Sequence, residues 1–511
     1  MDALVARGPE GTRLTTIDGY GTLGFTRLAI NGLTELGMQP MKQEDRSWVC
    51  NGEIYNAADL VARYELLEGN GSDCGVIGPL YERFCHEGVS LEGFFQALDG
   101  VFSIVLVDEG RQQIIIARDP YGVRPLYKGK CVATGRPVYA SEIKGLLPLC
   151  AEIEPFPPGH YQVIQMNGGL YTVNEPKAYH TIPWIKQSRS LDMAKEAVRT
   201  ALEAAVKKRV VTTEREVACL LSGGLDSSLV AALVAKVSTE LGRRPVRTYS
   251  IGMEGSQDLR HARMVAEYIG STHTEVIVTA EEMFAAVPEV IRAIESYDTT
   301  TVRASVPNYL LAKTIRETSD CKVVFNGDGA DEVWGSYLYF NSAPSDAAYE
   351  DECRRLLRDM HMFDVLRSDR SVAANGLEAR SPYLDKEFVG TVLSLPVEFR
   401  RPTPGGLCEK WLMREAFPGV LPKQVLWRRK EAFSDGVSGD KAWYQSSHEM
   451  AAAALPAWKL YATKTAEQAY YKDCYRKAFG KATYHTNVPY YWMPRWSPGV
   501  TDPSARTLPL Y

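Results

Sequence analysis

The chain has 511 residues, of which 45% are hydrophobic and 24% charged; this is ordinary globular composition and excludes a disordered, collagen-like or rod-like chain. Lys and Arg number 58 against 63 Asp and Glu, a net charge of −5, so no global basic field draws nucleic acid or an anionic membrane. Ten cysteines without a C-x-x-C pair read as free thiols of a reducing compartment, and no apolar run approaches the ~18 residues of a membrane span, so a cytoplasmic protein is expected.

Residues 14–163 show short β-branched and aromatic runs divided by Gly, Asp and Asn. The runs 101–107 and 113–117 flank the turn Asp108-Glu-Gly110 and read as a hairpin, and 74–87 reads as a helix. Pro155, Pro157, Pro158, Pro176 and Pro183 then disfavour regular structure and place a join between domains. Beyond it the period changes. Helix is predicted over 191–210, strand over 216–221, helix over 227–241, strand over 246–251, helix over 259–269 and strand over 273–278. Such alternation predicts an α/β doubly wound parallel sheet. Helices dominate after 350. The expected divisions are an α+β domain at 1–165, a linker at 166–190, the α/β domain at 191–496 and a loosely held Pro-rich tail at 497–511.

The sharpest local signal is Leu221-Ser-Gly-Gly-Leu-Asp-Ser-Ser228, between a predicted strand and a predicted helix. Two glycines allow a tight turn that presents backbone N–H groups to an anion, and the helix directs its positive end to the same place. Ser222, Ser227 and Ser228 add hydroxyl donors, and Asp226 can hold a cation beside phosphate. No G-x-x-x-x-G-K-[ST] occurs, so this is not the common phosphate-transferring loop.

Ser222-Gly-Gly-Leu-Asp-Ser227 resembles the pyrophosphate loop of ATP pyrophosphatases, which cleave ATP between the α- and β-phosphates. Further blocks narrow the resemblance to glutamine-dependent asparagine synthetases: Glu295-Ser-Tyr-Asp-Thr-Thr-Thr-Val-Arg-Ala-Ser305, Asn326-Gly-Asp-Gly-Ala-Asp-Glu332, Gly376-Leu-Glu-Ala-Arg-Ser-Pro-Tyr-Leu-Asp385 and Trp427-Arg-Arg-Lys-Glu-Ala-Phe-Ser-Asp-Gly436. In the first half, Arg7-Gly-Pro9, Arg27-Leu-Ala-Ile30, Asn51-Gly-Glu-Ile-Tyr-Asn56, Gly71-Ser-Asp73 and Arg118-Asp-Pro-Tyr-Gly122 resemble that family's glutaminase domain, an N-terminal-nucleophile hydrolase sandwich. Taken singly, each block has a bland reading: Arg428 to Glu431 is a charged run and Asn326-Gly-Asp-Gly a turn. Their joint occurrence in one order overrides that.

The resemblance implies amidation of L-aspartate through β-aspartyl-AMP, with ATP and Mg²⁺ as cofactors and a homodimer as the assembly. It implies that Leu221, Ser222, Gly223, Gly224, Asp226, Ser227, Ile251, Asn326 and Gly327 bind ATP, that Asp226 and Asp331 hold Mg²⁺, and that Thr300 and Arg303 hold aspartate. Lys430 would meet the charge developing on phosphate. Asp328, where many members carry Glu, would position the adenylation and take a proton from ammonia. Arg27, Leu28, Ala29, Ile30, Asn31, Asn51, Gly52, Glu53 and Asp73 would bind glutamine. The family nucleophile is an N-terminal Cys whose α-amino group, with a pKa near 8, serves as base. This chain begins Met1-Asp-Ala-Leu4, and its first cysteine, Cys50, cannot supply that group. The expectation favours a start upstream of Met1; without one, free ammonia would be the nitrogen source. Alternative readings are a relative that forms another amide, such as a β-lactam, and a non-catalytic scaffold.

Overall fold

The computed structural model describes residues 1–66, 71–182, 184–403, 406, 408–456, 463–481 and 483–508. Two compact units emerge: Met1–Ile182 with Val211–Arg215, and Pro183–Val210 with Glu216–Tyr511.

The first unit contains β1 (Gly11–Ile17), β2 (Gly21–Arg27), β3 (Met41–Gln43), β4 (Arg46–Ile54), β5 (Gly100–Asp108), β6 (Gln113–Arg118), β7 (Tyr127–Cys131), β8 (Pro137–Ala140), β9 (Cys150–Pro155), β10 (His160–Asn167), β11 (Leu170–Val173) and β12 (Lys177–Ala178). Its main sheet has the order β11-β10-β6-β5-β4-β3, with β12 also on β10. The expected hairpin is β5–β6, antiparallel, with Asp108 opposite Gln113. Side chains alternate across it, as strand geometry requires. Phe102, Ile104, Leu106, Ile115 and Ala117 pack with residues of helices Ala57–Tyr64, Ile77–Glu87 and Leu91–Ala97. Val105, Ile114 and Ile116 pack the other way, with Leu126, Tyr139 and Phe156. The sheet β8-β7-β9 in turn packs Tyr127, Cys150 and Ile153 against the helix Ile143–Leu146. Helix, sheet, sheet and helix form the expected α+β sandwich.

One boundary differs from the expectation. The stretch assigned to a linker carries β11 and β12, both antiparallel to β10, so the first unit runs to Ile182. The prolines misled because they sit where a missing N–H costs no ladder bond. Pro155 ends β9 and Pro176 precedes β12; Pro183 lies outside the described residues.

The second unit holds β13 (Val217–Leu220), β14 (Arg247–Gly252), β15 (Thr272–Ile277), β16 (Val323–Phe325) and β17 (Glu378–Arg380) in the order β15-β14-β13-β16-β17, all neighbours parallel. This is the predicted doubly wound sheet. From β13 the chain steps outward to β14 and β15, then returns to the opposite side of β13 with β16. The direction of winding therefore reverses between β13 and β16, and ligand crevices form outside the carboxyl ends of strands at such points. Among the described residues no helix is long and apolar enough to cross a membrane.

The tail corrects a second expectation. Within 497–508 the chain is not loose: Leu508 packs with Leu338, Phe340 and Tyr349, and Ser504 is buried. Positions 509–511 lie outside the described residues.

Candidate functional site

The loop leaving β13 enters the helix Leu225–Glu240 through Gly223, at φ 69°, and Gly224, its N-cap. A Cβ on Gly223 would lie 2.4 Å from the Ala262 nitrogen, so the tight path requires glycine. The Ser222 N–H donates to Ser227 Oγ at 3.1 Å, and the two hydroxyls stand 2.9 Å apart. The loop leaving β16 comes equally close. A Cβ on Gly327 would meet the Ser227 nitrogen at 2.7 Å. Asn326 is locked in place, donating to Ser368 Oγ at 2.6 Å and accepting from Ser381 Oγ at 2.7 Å.

Four charges converge above these loops. Asp226 lies in the first turn of Leu225–Glu240 and Asp331 in the first turn of Ala330–Trp334. Lys410 Nζ donates to Asp226 Oδ2 and to Asp331 Oδ1, each at 2.6 Å. Lys430 Nζ lies 2.6 Å from Asp331 Oδ2 and 3.9 Å from Asp226 Oδ2. Burial alone would raise the Asp331 carboxyl, but the two ammonium groups override it and hold it well below the usual range. The same carboxylates outweigh burial at Lys430 and keep its ammonium charged. Arg414 braces both lysine segments, pairing with Glu409 at 2.6 Å while Glu409 Oε1 accepts the Lys430 N–H at 3.0 Å. Lys410 was not singled out from the sequence. Its only local cue is an acid–base pair, Glu409-Lys410, ahead of the six-residue helix Trp411–Ala416.

The Asp226 Oδ1 atom is buried and accepts no hydrogen bond. Two carboxylates with an orphaned oxygen, at a loop shaped for phosphate, suit a hard cation that takes its remaining ligands from phosphate and water. Among the described residues no group of three or more His, Cys, Asp or Glu forms a self-sufficient metal cage.

A cavity of about 210 Å³ opens beside this cluster and brings together Leu221, Ser222, Asp226, Ser227, Ile251, Thr300, Arg303, Asn326, Gly327, Asp328, Asp331 and Lys430. Gly224 instead lines a smaller adjoining cavity of about 60 Å³ with Lys410, Arg428 and Lys430. Gly223 turns toward His261 and Ala262. Asp328 Oδ1 accepts from Arg367 at 2.8 Å, while its Oδ2 is buried without a partner. Thr300 Oγ1 donates to Asp298 at 2.6 Å, within the N-cap of Thr299–Thr318. Arg303 is fully engaged: its guanidinium meets both Glu467 and Asp502, and its fork to Asp502 measures 2.8 and 2.7 Å. Neighbouring Glu332 is pushed well above the usual carboxyl range by burial, with Asp364 and Asp331 adding to it.

In the first unit Asn31 Nδ2 donates to Glu53 at 2.7 Å and to the Thr212 carbonyl at 3.2 Å, with Asp73 3.5 Å away. Asp73 in turn accepts the Ile54 N–H at 2.6 Å. Asn51 Nδ2 donates to Ser141 Oγ at 3.3 Å, and Gly52 follows at φ 149°. These residues therefore share one rim of β4. Arg27 braces the adjoining loop, its Nη2 donating to the Gly32 and Thr34 carbonyls at 2.6 and 2.9 Å. The Ala29 N–H donates to Glu10 and its carbonyl accepts from Arg215, each at 2.7 Å; the Ile30 carbonyl accepts from Glu214. Leu28 is half-buried. Cys74 is no activated thiol: contact with Cys50 and then burial push it well above its ordinary value.

The chain matches the model of the asparagine synthase family over residues 197–353 and 342–498, and that of the glutamine amidotransferase domain over 1–155. It is 42% identical to the asparagine synthetase [glutamine-hydrolyzing] of Cricetulus griseus over 543 aligned residues, covering 99% of this chain and 94% of that protein. The corresponding proteins of Homo sapiens and Gallus gallus are each 41% identical, with the same coverage. An amidotransferase sandwich followed by a doubly wound sheet with a serine–glycine phosphate loop, together with near full-length similarity, shows that the chain belongs to the asparagine synthase family.

Proposed function

We propose that this chain makes asparagine: it activates the β-carboxylate of L-aspartate with ATP, releases pyrophosphate, and transfers nitrogen from glutamine to the aspartyl adenylate with loss of AMP. The observation that carries the reading is the meeting of Lys410, Lys430, Asp226 and Asp331 at the mouth of the serine–glycine loop. Attack of a carboxylate on the α-phosphorus gathers negative charge on phosphate, and the site must supply fixed cations and dipoles to meet it. The loop N–H groups, the Ser222 and Ser227 hydroxyls and the start of Leu225–Glu240 cradle the leaving pyrophosphate. Lys430, held charged by the carboxylates, and Lys410 beside it face the same phosphates. Leu221, Ile251, Asn326 and Gly327 line the adenosine side, and Thr300 with Arg303 the aspartate side. Asp328 Oδ2 is the acceptor offered to a proton of ammonia. Asp226 and Asp331 would hold Mg²⁺; when bound, it neutralises phosphate charge and orients the leaving group.

In the first unit Asn31, Glu53 and Asp73 would grip the amino-acid end of glutamine, with Asn51 and Gly52 at its carbonyl oxygen. Ten free cysteines fit a cytoplasmic setting. A homodimer is the assembly this reading expects, and light scattering at micromolar protein tests it.

The deciding experiment measures aspartate-dependent exchange of labelled pyrophosphate into ATP, followed by asparagine and AMP formation with glutamine or with ammonium. Exchange that needs aspartate supports the reading; its absence with every amino acid tried removes it. Synthesis from ammonium but not from glutamine would restrict the nitrogen source to free ammonia.

A further inference from the structure

Each cation lining the large cavity already holds a carboxylate of the chain itself. Lys430 holds Asp331, Arg367 holds Asp328 and Asp364, and Arg303 holds Glu467 and Asp502. An acidic substrate therefore meets an internal carboxylate already seated on each of these three cations. At Arg303 the two partners differ. Glu467 has a fully buried carboxylate on the helix Ala466–Phe479 and also accepts the Tyr471 hydroxyl. Asp502 retains 17% side-chain exposure and belongs to a segment whose regular structure is one three-residue turn, Ala505–Thr507. Its carboxylate makes the parallel two-bond fork with the guanidinium that an incoming carboxylate would make.

The segment carrying Asp502 is held at further points. Ser504 Oγ donates to Asp435 at 2.7 Å and Arg506 Nη2 to Glu431 at 2.9 Å, so two anchors lie on the segment that follows Lys430, one of them in the short helix Phe433–Gly436. Pro503, Ser504, Ala505 and Leu508 line the cavity wall.

We propose that residues 502–508 form a strap that aspartate displaces: the Asp502 carboxylate keeps the place of the substrate carboxylate on Arg303, and binding exchanges one acid for the other. The inference rests on the reading that Arg303 holds aspartate. Any protein with the strap seated has no fork to offer, so the apparent affinity for aspartate is the intrinsic affinity multiplied by the fraction of molecules in which the strap is displaced. Arg506 acts at a distance, by fastening the strap rather than touching the substrate.

The test compares Asp502→Asn and Arg506→Ala with the parent protein in the exchange assay. The expected result is a KM for aspartate lowered on the order of threefold or more in Asp502→Asn, and by less in Arg506→Ala, with the KM for ATP unchanged. An aspartate KM that stays level or rises in Asp502→Asn overturns the strap. Should that variant not fold, hydrogen exchange of the parent protein decides. Saturating aspartate then speeds exchange of the Ser504 and Ala505 N–H groups, which donate to Asp502 and Asp435; unchanged or slower exchange overturns the proposal. Arg303→Lys tests the underlying reading separately: an aspartate KM indifferent to that change removes the role of Arg303 itself.

Discussion

The ammonium of Lys410 stands 2.6 Å from Asp226 Oδ2, although 184 positions separate the two residues in the chain. Lys410 is 1% exposed and takes a left-handed backbone conformation at the start of Trp411–Ala416. A non-glycine residue in that region is held there by its surroundings, here the two carboxylates it joins. Lys410→Met is expected to lower aspartate-dependent pyrophosphate exchange on the order of 100-fold, with a smaller loss in Lys410→Arg. Steady-state exchange rates on both variants check this, with circular dichroism as the control for folding.

Gly327 permits the loop after β16 to touch the first turn of Leu225–Glu240. Gly327→Ala places a methyl group 2.7 Å from the Ser227 nitrogen and 2.9 Å from Asp226 atoms, all of them backbone or Cβ positions that do not swing aside. The expected outcome is a loss of about 1–3 kcal/mol in stability and weaker ATP binding. Thermal melting and nucleotide titration measure the two effects.

Asp258, paired with Arg428 at 2.7 Å, is pushed up to about 6 because burial outweighs the neighbouring guanidinium. The unfolded carboxyl titrates near 3.9, so between about pH 4 and about pH 6 the native state binds the extra proton and stability falls as pH rises; above that it is level. Asp258→Asn removes this contribution. Its stability relative to the parent is expected to improve by up to about 3 kcal/mol across that window. Urea midpoints at the two ends of the window provide the comparison.

Asp73 receives the Ile54 N–H and sits beside Asn31 on the rim of β4. Asp73→Asn is expected to reduce glutamine-supported synthesis at least about tenfold, the worth of one charge-assisted hydrogen bond, while ammonium-supported synthesis is retained. Parallel asparagine assays with the two nitrogen sources read this directly. Equal loss with both sources would remove Asp73 from glutamine binding.

Much of this architecture is legible in the sequence because its signals are local. The period change near 191, the glycine turn at 223–224 and the β-branched runs of β5 and β6 each depend on neighbours a few residues away. Asp226, Asp331 and Lys430 were identified by motif and do meet. Long-range pairings were not legible. Glu467 and Asp502 lie 164 and 199 positions from Arg303, and no periodicity connects them. β11 and β12 were hidden for another reason: prolines at strand ends resemble prolines in linkers.

The short stretch Val211–Arg215 groups with the first unit, although the chain on either side of it belongs to the second. Glu214 in that stretch accepts the Gly32 N–H at 2.7 Å, and Arg215 pairs with Glu10 at 3.0 Å. A gene split at any single point between the two halves would leave one fragment without a native patch of its own surface. A cut ahead of Val211 takes these contacts from the first unit, a cut after Arg215 takes the helix Leu191–Val211 from the second, and point substitutions are the sounder way to separate the activities.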